Sequence, residues 1–260
     1  MSNENNPSDI VGKKVFFLYP TAAVQNKLIE ELVQMEYEAY IAKDHAALRR
    51  LLKQYPDSII FIDINEQMSD KEWDAWIQGL VSAPETKDVI IGILTSNDKG
   101  ELRQKYAGAA YLKGGYNVFK SDIDGAIKHL IAVLNTAGAK GRRKYLRVTT
   151  ENETMTTVNM PINGSFISGK ITDISVVGFS CTFENDPDIL KNTLVNNIQV
   201  KLQIMLLNVE GIVFGSRMDG NSRIYVVLFT KRIDPVVRTK IRKYIQQNLQ
   251  SRMDSELKFA

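Results

Sequence analysis

The feature that most constrains the fold is a change in hydrophobic pattern about halfway along the 260-residue chain. Before the small, glycine-containing stretch 135–141 (NTAGAKG), short apolar runs alternate with segments whose apolar residues recur every three or four positions. Such runs favour strands buried on both faces, and the recurring spacing favours helices. After the stretch, short segments of alternating polarity are separated by turn signals such as Asn163-Gly164, a pattern typical of antiparallel strands. Two different domains joined by a linker are therefore predicted.

The first half predicts five strands with a helix after each. Strands buried on both faces and separated by helices indicate a parallel sheet with right-handed crossovers. Five such units in this length predict a flavodoxin-like topology. The predicted strands are Lys14–Tyr19, Tyr37–Ala42, Ser58–Asp63, Val89–Thr95 and Tyr116–Lys120.

The second half predicts about six short antiparallel strands, which suggests a small barrel or a sandwich. A helix then closes the chain, with Asp234 as its N-cap, Pro235 at its first position and an apolar residue every four positions. The predicted strands are Thr154–Met160, Phe166–Ile174, Gly178–Phe183, Ile198–Val209, Gly211–Arg217 and Arg223–Phe229.

Composition excludes several classes of protein. Hydrophobic residues make up 44% and charged residues 24% of the chain, which is the usual globular balance. No apolar run approaches the roughly 18 residues of a membrane helix, and the first ten residues lack the basic and apolar regions of a signal peptide. The single cysteine, Cys181, excludes a disulfide framework and a multi-cysteine zinc site, and two histidines make a metal site an unfavoured prediction. We expect a cytoplasmic protein that does not insert into membranes.

Charge is distributed unevenly between the two halves. Residues 1–138 contain 15 Lys and Arg against 19 Asp and Glu, whereas residues 139–260 contain 18 against 11. The second half is thus the one expected to meet an anionic partner.

Two short motifs stand in that basic half. An R-x-x-x-R element lies at the entry to the strand-rich region, with one further arginine before it, and a D-x-S-x-x-G element follows on an early strand. Alone, the first could be a solvated charge cluster and the second a turn with local side-chain capping and a bulge at its glycine. The six residues are Arg142, Arg143, Arg147, Asp173, Ser175 and Gly178.

Together, these motifs and the predicted barrel make residues 139–252 resemble the PilZ family of cyclic di-GMP receptors. The resemblance implies that the six motif residues bind cyclic di-GMP and that no cofactor or catalytic residue is needed. It divides the chain into a disordered N-terminus 1–12, a receiver-like domain 13–136, a linker 137–148 with the arginines, and a PilZ barrel with its C-terminal helix 149–260.

The residue types suit this ligand, which carries two phosphodiester charges and two guanines. Arginine pairs bidentately with phosphate oxygens and also matches the O6/N7 edge of guanine. The ionised carboxylate of Asp173 accepts from the N1 and N2 donors of guanine, and the Ser175 hydroxyl can add a hydrogen bond. Gly178 permits close approach of the backbone. Ser180 or Cys181, which follow on the same strand, could also line the ligand surface, although a cysteine such as Cys181 is more often simply a small apolar residue.

The first half resembles a response-regulator receiver domain, though less closely. Asp63, Thr95 and Lys120 end the third, fourth and fifth predicted strands, where receivers carry the phospho-accepting Asp, the switch hydroxyl and the phosphate-binding Lys. Phosphorylation also needs Mg²⁺ held by an acidic pair after the first strand, and the stretch 18–21 (LYPT) has no carboxylate. We therefore predict a pseudoreceiver that serves protein contacts or homodimerisation, with Asp63 bonded to Lys120 or to a loop.

The leading hypothesis is a non-enzymatic cyclic di-GMP effector whose interdomain arrangement changes when the ligand binds. The alternative is a receiver-type regulator that binds nucleic acid through the basic half, for which no helix-turn-helix pattern is seen. A phosphorelay regulator is disfavoured by the missing acidic pair. An enzyme acting on the dinucleotide is disfavoured because no metal or acid–base constellation is apparent.

Overall fold

The computed structural model describes residues 12–22, 24–65, 67–96, 100–119, 123–150 and 153–260. The chain divides into two compact units. The first comprises the chain up to Lys144 together with Gln250–Ala260, and the second comprises Tyr145–Leu249. Of the N-terminus predicted to be disordered, residues 1–11 lie outside the described residues, and Gly12 forms a β-bridge with Lys140.

The first unit is a five-stranded parallel sheet with the strand order β2-β1-β3-β4-β5. This is the flavodoxin-like order, and the predicted fold of the first half is confirmed. Its strands are β1 (Val15–Leu18), β2 (Ala39–Ala42), β3 (Ile59–Asp63), β4 (Ile90–Thr95) and β5 (Gly115–Val118). Its helical segments are a π-helical stretch (Val24–Ile29) continued by α1 (Glu30–Gln34), then α2 (His45–Leu52), α3 (Asp70–Ser82), α4 (Gly100–Tyr106) and α5 (Ile123–Thr136).

The sheet is covered on both faces, as the continuous apolar runs require. Residues 59–62 of the central strand β3 are completely buried although their side chains alternate between the faces. Polar side chains define where the helices begin. Asp44 caps α2 by accepting hydrogen bonds from the backbone N–H groups of Ala46 (2.8 Å) and Ala47 (2.9 Å), and Ser69 and Glu72 form a capping box at α3.

The second unit is a closed, six-stranded antiparallel barrel, as predicted for the second half. Around the barrel the order is β8-β7-β10-β11-β12-β9, and β9 pairs back to β8. A short additional strand, β6, pairs with the last residues of β8. The strands are β6 (Arg147–Thr149), β7 (Thr156–Ile162), β8 (Ser165–Ser175), β9 (Gly178–Phe183), β10 (Leu194–Leu202), β11 (Met205–Asp219) and β12 (Ser222–Phe229).

The C-terminal helix α6 (Pro235–Phe259) follows the barrel. Asp234 precedes it and accepts a hydrogen bond from the backbone N–H of Val236 at 2.8 Å, as the predicted N-cap should. Within the second unit, Ile241 and Ile245 are buried in the barrel core, and Val237 and Leu249 pack against it. The apolar stripe of the sequence is therefore the face that closes the barrel. No helix among the described residues is both long and apolar enough to cross a membrane.

Candidate functional site

The second arginine of the R-x-x-x-R element lies on the barrel itself. Arg147 begins β6, and this strand pairs antiparallel with the end of β8, so that Arg147 lies opposite Ser175 and Thr149 lies opposite Asp173. Val148, between them, is buried in the core. Because side chains alternate along a strand, Arg147 and Thr149 point to the outer face of the barrel.

The register extends this arrangement over the neighbouring strands. Residues that lie opposite one another in an antiparallel sheet point to the same face, so each series of partners forms a row on the outer surface. The first row crosses β6, β8, β9, β12, β11 and β10 through Arg147, Ser175, Gly178, Leu228, Ile212 and Leu194. The second crosses β6, β8, β9, β12 and β11 through Thr149, Asp173, Ser180, Val226 and Gly215.

Arg147 and Asp173 form an ion pair between these rows. The Arg147 Nη1 atom lies 3.2 Å from Asp173 Oδ1, and the Arg147 side chain is 43% exposed against 13% for Asp173. Water reaches the arginine side of this pair, whereas the Asp173 carboxylate is largely buried. The guanidinium is thus oriented by Asp173, and a ligand that draws it away must supply hydrogen-bond donors to the carboxylate in its place.

Ser175 shapes the turn that connects β8 to β9. Its buried hydroxyl donates a hydrogen bond to the Gly178 carbonyl oxygen at 3.2 Å and accepts one from the Val177 N–H at 3.4 Å. Both contacts are local, as expected of a serine that stabilises a turn. The hydroxyl therefore fixes the backbone between the strand of Asp173 and the strand of Gly178.

Gly178 is a glycine for a packing reason. A Cβ atom on this residue would lie 2.2 Å from the carbonyl oxygen of Val227 and 3.0 Å from the Cα of Leu228. The backbone of β9 therefore approaches β12 more closely than any side chain would permit. The same substitution would meet nothing within 4 Å at Gly215, whereas at Gly169 the added Cβ would lie 2.6 Å from the carbonyl oxygen of Thr182.

Arg142 and Arg143 belong to the first compact unit and lie in an irregular, exposed part of the chain just before β6. Neither side chain has a hydrogen bond or an ion pair with any residue that the structure describes. Two guanidiniums are therefore available to an anionic ligand a few residues before Arg147.

The structure thus gathers Arg147, Asp173, Ser175 and Gly178 within two adjacent rows on one face of the second unit. Sequence reasoning missed Thr149 and the apolar residues of β12 and β11 that complete the rows, because the pairing register that joins them is not visible in either motif. Of the two residues considered on β9, Ser180 is on this face. Cys181 faces the core, where burial, together with the charge of Asp173, raises the pKa of its thiol.

The residues of the receiver-like site are also only partly described. Asp63 ends β3 and is buried; its Oδ1 atom accepts hydrogen bonds from the backbone N–H (3.1 Å) and the side-chain amide of Asn65. Thr95 ends β4 and donates a hydrogen bond to Asn65 Oδ1 at 2.8 Å. Asn65 therefore links the two. Lys120 lies outside the described residues.

A cavity of about 540 Å³ lies at these strand ends, and its described lining includes Tyr19, Thr21, Lys43, Asp63 and Asn65. Among the lining residues that the structure describes, Asp63 supplies the only carboxylate. More widely, no group of three or more His, Cys, Asp or Glu side chains within the described ranges could hold a metal ion. A magnesium site would need further carboxylates at this edge.

No protein-family model and no curated protein matches the chain. Solved structures do. YcgR from Escherichia coli in complex with c-di-GMP is 13% identical over 46% of this chain and 52% of that chain, with a TM-score of 0.41. The PilZ domain of YcgR with c-di-GMP is 14% identical over 46% of this chain and 99% of that chain, with a TM-score of 0.38. The MrkH–c-di-GMP complex from K. pneumonia is 16% identical over 45% of this chain and 57% of that chain, with a TM-score of 0.40.

One of these structures is described as a PilZ domain. The chain spans about half the length of the YcgR chain that it matches.

Proposed function

We propose that the chain is a cyclic di-GMP-binding effector whose ligand lies on the outer face of the barrel across β6, β8 and β9. The observation that carries this proposal is the convergence of a partly exposed guanidinium, Arg147, with an acceptor, Asp173, beside a strand on which Gly178 presents no side chain. A cyclic dinucleotide needs both groups, since its phosphates accept hydrogen bonds and its guanine edge donates them.

The two motifs then have different roles. Arg147 leaves Asp173 to pair with a phosphate, Arg142 and Arg143 add further donors from the linker, and Asp173 accepts from the N1 and N2 groups of guanine. Ser175 and Gly178 act chiefly through the backbone, because one fixes the β8–β9 turn and the other allows β9 to lie close to β12. The site needs no metal and no cofactor.

Titration calorimetry with cyclic di-GMP tests this proposal. We expect the wild-type chain to bind and Arg147→Ala to weaken binding about ten- to a hundredfold, which is the effect of losing one charge-assisted pair of about 1.5–3 kcal/mol. The matched control is Lys201→Ala. Lys201 is exposed on β10, three strands from β9 in either direction around the barrel. Wild-type affinity in Arg147→Ala would show that the site is elsewhere.

The effector action is proposed to come from the linker. Arg142 and Arg143 lie between the last helix of the first unit and the first strand of the second, so their capture by the ligand would order this segment. Ordering a linker restricts the arrangement of the units that it connects. Small-angle scattering with and without cyclic di-GMP tests the change; superimposable curves at saturating ligand would contradict it.

The first unit is proposed to be a pseudoreceiver that contacts a protein partner or a second copy of the chain. This is supported by the lack of any carboxylate in the 18–21 stretch and by the engagement of the Asp63 carboxylate with Asn65. Size-exclusion chromatography with light scattering, with and without cyclic di-GMP, distinguishes a homodimer from a monomer that awaits another protein.

A nucleic-acid-binding regulator is the competing function. The basic charge of the second half favours it, but the described residues after 138 contain a single helix, α6, and so offer no helix-turn-helix. Duplex binding that falls with salt and is indifferent to cyclic di-GMP would favour this alternative. Hydrolysis of the dinucleotide during incubation with the protein would instead favour an enzyme.

A further inference from the structure

The first surface row changes from polar to apolar on the far side of β9. Leu228 and Ile212 are 37% and 38% exposed, and Leu194 at the end of the row is 53% exposed. Three large apolar side chains on consecutive strands of an outer face form a ridge beside the proposed ligand site. Neither sequence motif includes any of them.

Between the two sides the surface carries only small residues. Gly178 lacks a side chain, and Ser180, next to it in the second row, is buried with its hydroxyl unbonded to any described residue. Strands in a sheet lie about 4.8 Å apart, so Leu228 on β12 lies roughly 10 Å across the sheet from Ser175 on β8. Ser175, Gly178 and Ser180 are all buried, so β9 separates the polar residues Arg147 and Asp173 on one side from the apolar ridge on the other.

We propose that Leu228 and Ile212 form the platform on which the face of one guanine of cyclic di-GMP packs. This inference rests on the proposed function and adds the contact for the part of the ligand that the motifs do not address. The arginines and Asp173 can bind phosphates and base edges, but none of the motif residues supplies an apolar side chain for the face of a base. The ridge lies in the same row as the motif residues, so a ligand held across β8 and β9 extends onto it.

The apolar platform and the polar residues Arg147 and Asp173 serve different purposes. A base face is alike in all purines, so Leu228 and Ile212 contribute affinity without choosing the base. Selectivity for guanine remains with Asp173, which reads donors on the base edge. The apolar contribution should also be insensitive to salt, in contrast to that of Arg147.

The test is calorimetry on the full chain with cyclic di-GMP, using Leu228→Asn and the control Ile204→Asn. Ile204 is 95% exposed in the turn between β10 and β11 and lies outside both rows. We expect Leu228→Asn to weaken binding about five- to twentyfold at low and at high salt alike, and Ile204→Asn to bind like the wild type. Thermal melting by circular dichroism shows whether each variant is folded.

A second measurement does not depend on any variant. In the wild-type complex, NMR cross-relaxation should connect the H8 proton of guanine with the methyl groups of Leu228 or Ile212. The proposed platform would be overturned if folded Leu228→Asn bound cyclic di-GMP as tightly as the wild type, or if the wild-type complex lacked these contacts. Either result would leave the proposed function standing. Absence of any binding by the wild type would instead overturn the proposed function itself.

Discussion

Replacing Gly178 with alanine tests the structural interpretation of the D-x-S-x-x-G motif. The new Cβ would lie 2.2 Å from the Val227 carbonyl oxygen, and real Cβ atoms are not found within 3.0 Å of such an atom. The two strands would have to separate by roughly 1 Å. Overpacking of this kind typically costs about 1–3 kcal/mol, and weakening one hydrogen bond of the β9–β12 ladder adds about 0.5–1.5 kcal/mol.

We therefore expect Gly178→Ala to lose about 2–4 kcal/mol of stability. At about 4–8 °C per kcal/mol for a domain of this size, its melting temperature should fall by at least about 8 °C. The matched control is Gly215→Ala, where the added methyl meets nothing within 4 Å. Alanine has less conformational freedom than glycine in the unfolded chain, so this substitution should leave stability unchanged or raise it slightly. Circular dichroism melts of both variants provide the comparison. Equal melting temperatures for Gly178→Ala and the wild type would refute the packing argument.

Three further predictions concern the Asp44 helix cap, the buried Cys181 thiol and Asp63. Asp44→Ala should cost about 1 kcal/mol at neutral pH, measured by urea unfolding. The N–H groups of Ala47 and Ala46 hold the pKa of Asp44 below its usual range. The Asp44 carboxylate therefore contributes its full stability above the unfolded carboxyl pKa of about 4, and this contribution disappears as the pH falls through the lower folded pKa. A difference in unfolding free energy between variant and wild type that persists in acid would contradict the cap. Cys181, whose thiol pKa is raised by burial, should resist a thiol reagent at pH 8 until urea unfolds the barrel; rapid labelling of the native protein would contradict its burial. Incubation with acetyl phosphate and Mg²⁺ should give no mass shift, and a shift abolished by Asp63→Asn would show a working receiver.

The parallel-sheet domain was predictable from the sequence because its inner strands β1, β3 and β4 are buried on both faces. These strands appear as apolar runs, as in 59–62, and the helical spacing between runs fixes the connection. The turn at Asn163-Gly164 was equally clear, since both residues adopt the positive φ angles that this dipeptide favours.

The boundaries of strands β10 and β11 were predicted wrongly. The sequence suggested one strand over Ile198–Val209, whereas β10 ends at Leu202 and β11 begins at Met205. The turn between them contains Gln203 with a φ of +56°, and neither Gln203 nor Ile204 carries the Gly, Asn or Pro signal by which turns are recognised. Tertiary packing rather than local preference places this turn.

The motif residues of the candidate site could be found in the sequence, but the separate role of each residue could not. Nothing in the D-x-S-x-x-G pattern shows that the Ser175 hydroxyl points into a turn or that Gly178 packs against β12. Those facts depend on which strands are neighbours and in which register. The apolar side chains of Leu228 and Ile212 were missed for the same reason, because residues from 30 to 50 positions away join the row only through pairing.

The central claim is that cyclic di-GMP lies on the outer face formed by β6, β8 and β9. The most direct measurement is a titration of the isotopically labelled protein with this dinucleotide, followed through its assigned backbone amide signals. We expect the largest shifts at residues 142–149, at Asp173–Gly178 and at the facing part of β12, while Lys201 on the opposite side of the barrel is unaffected. Shifts centred on β10, or none at saturating dinucleotide, would contradict it.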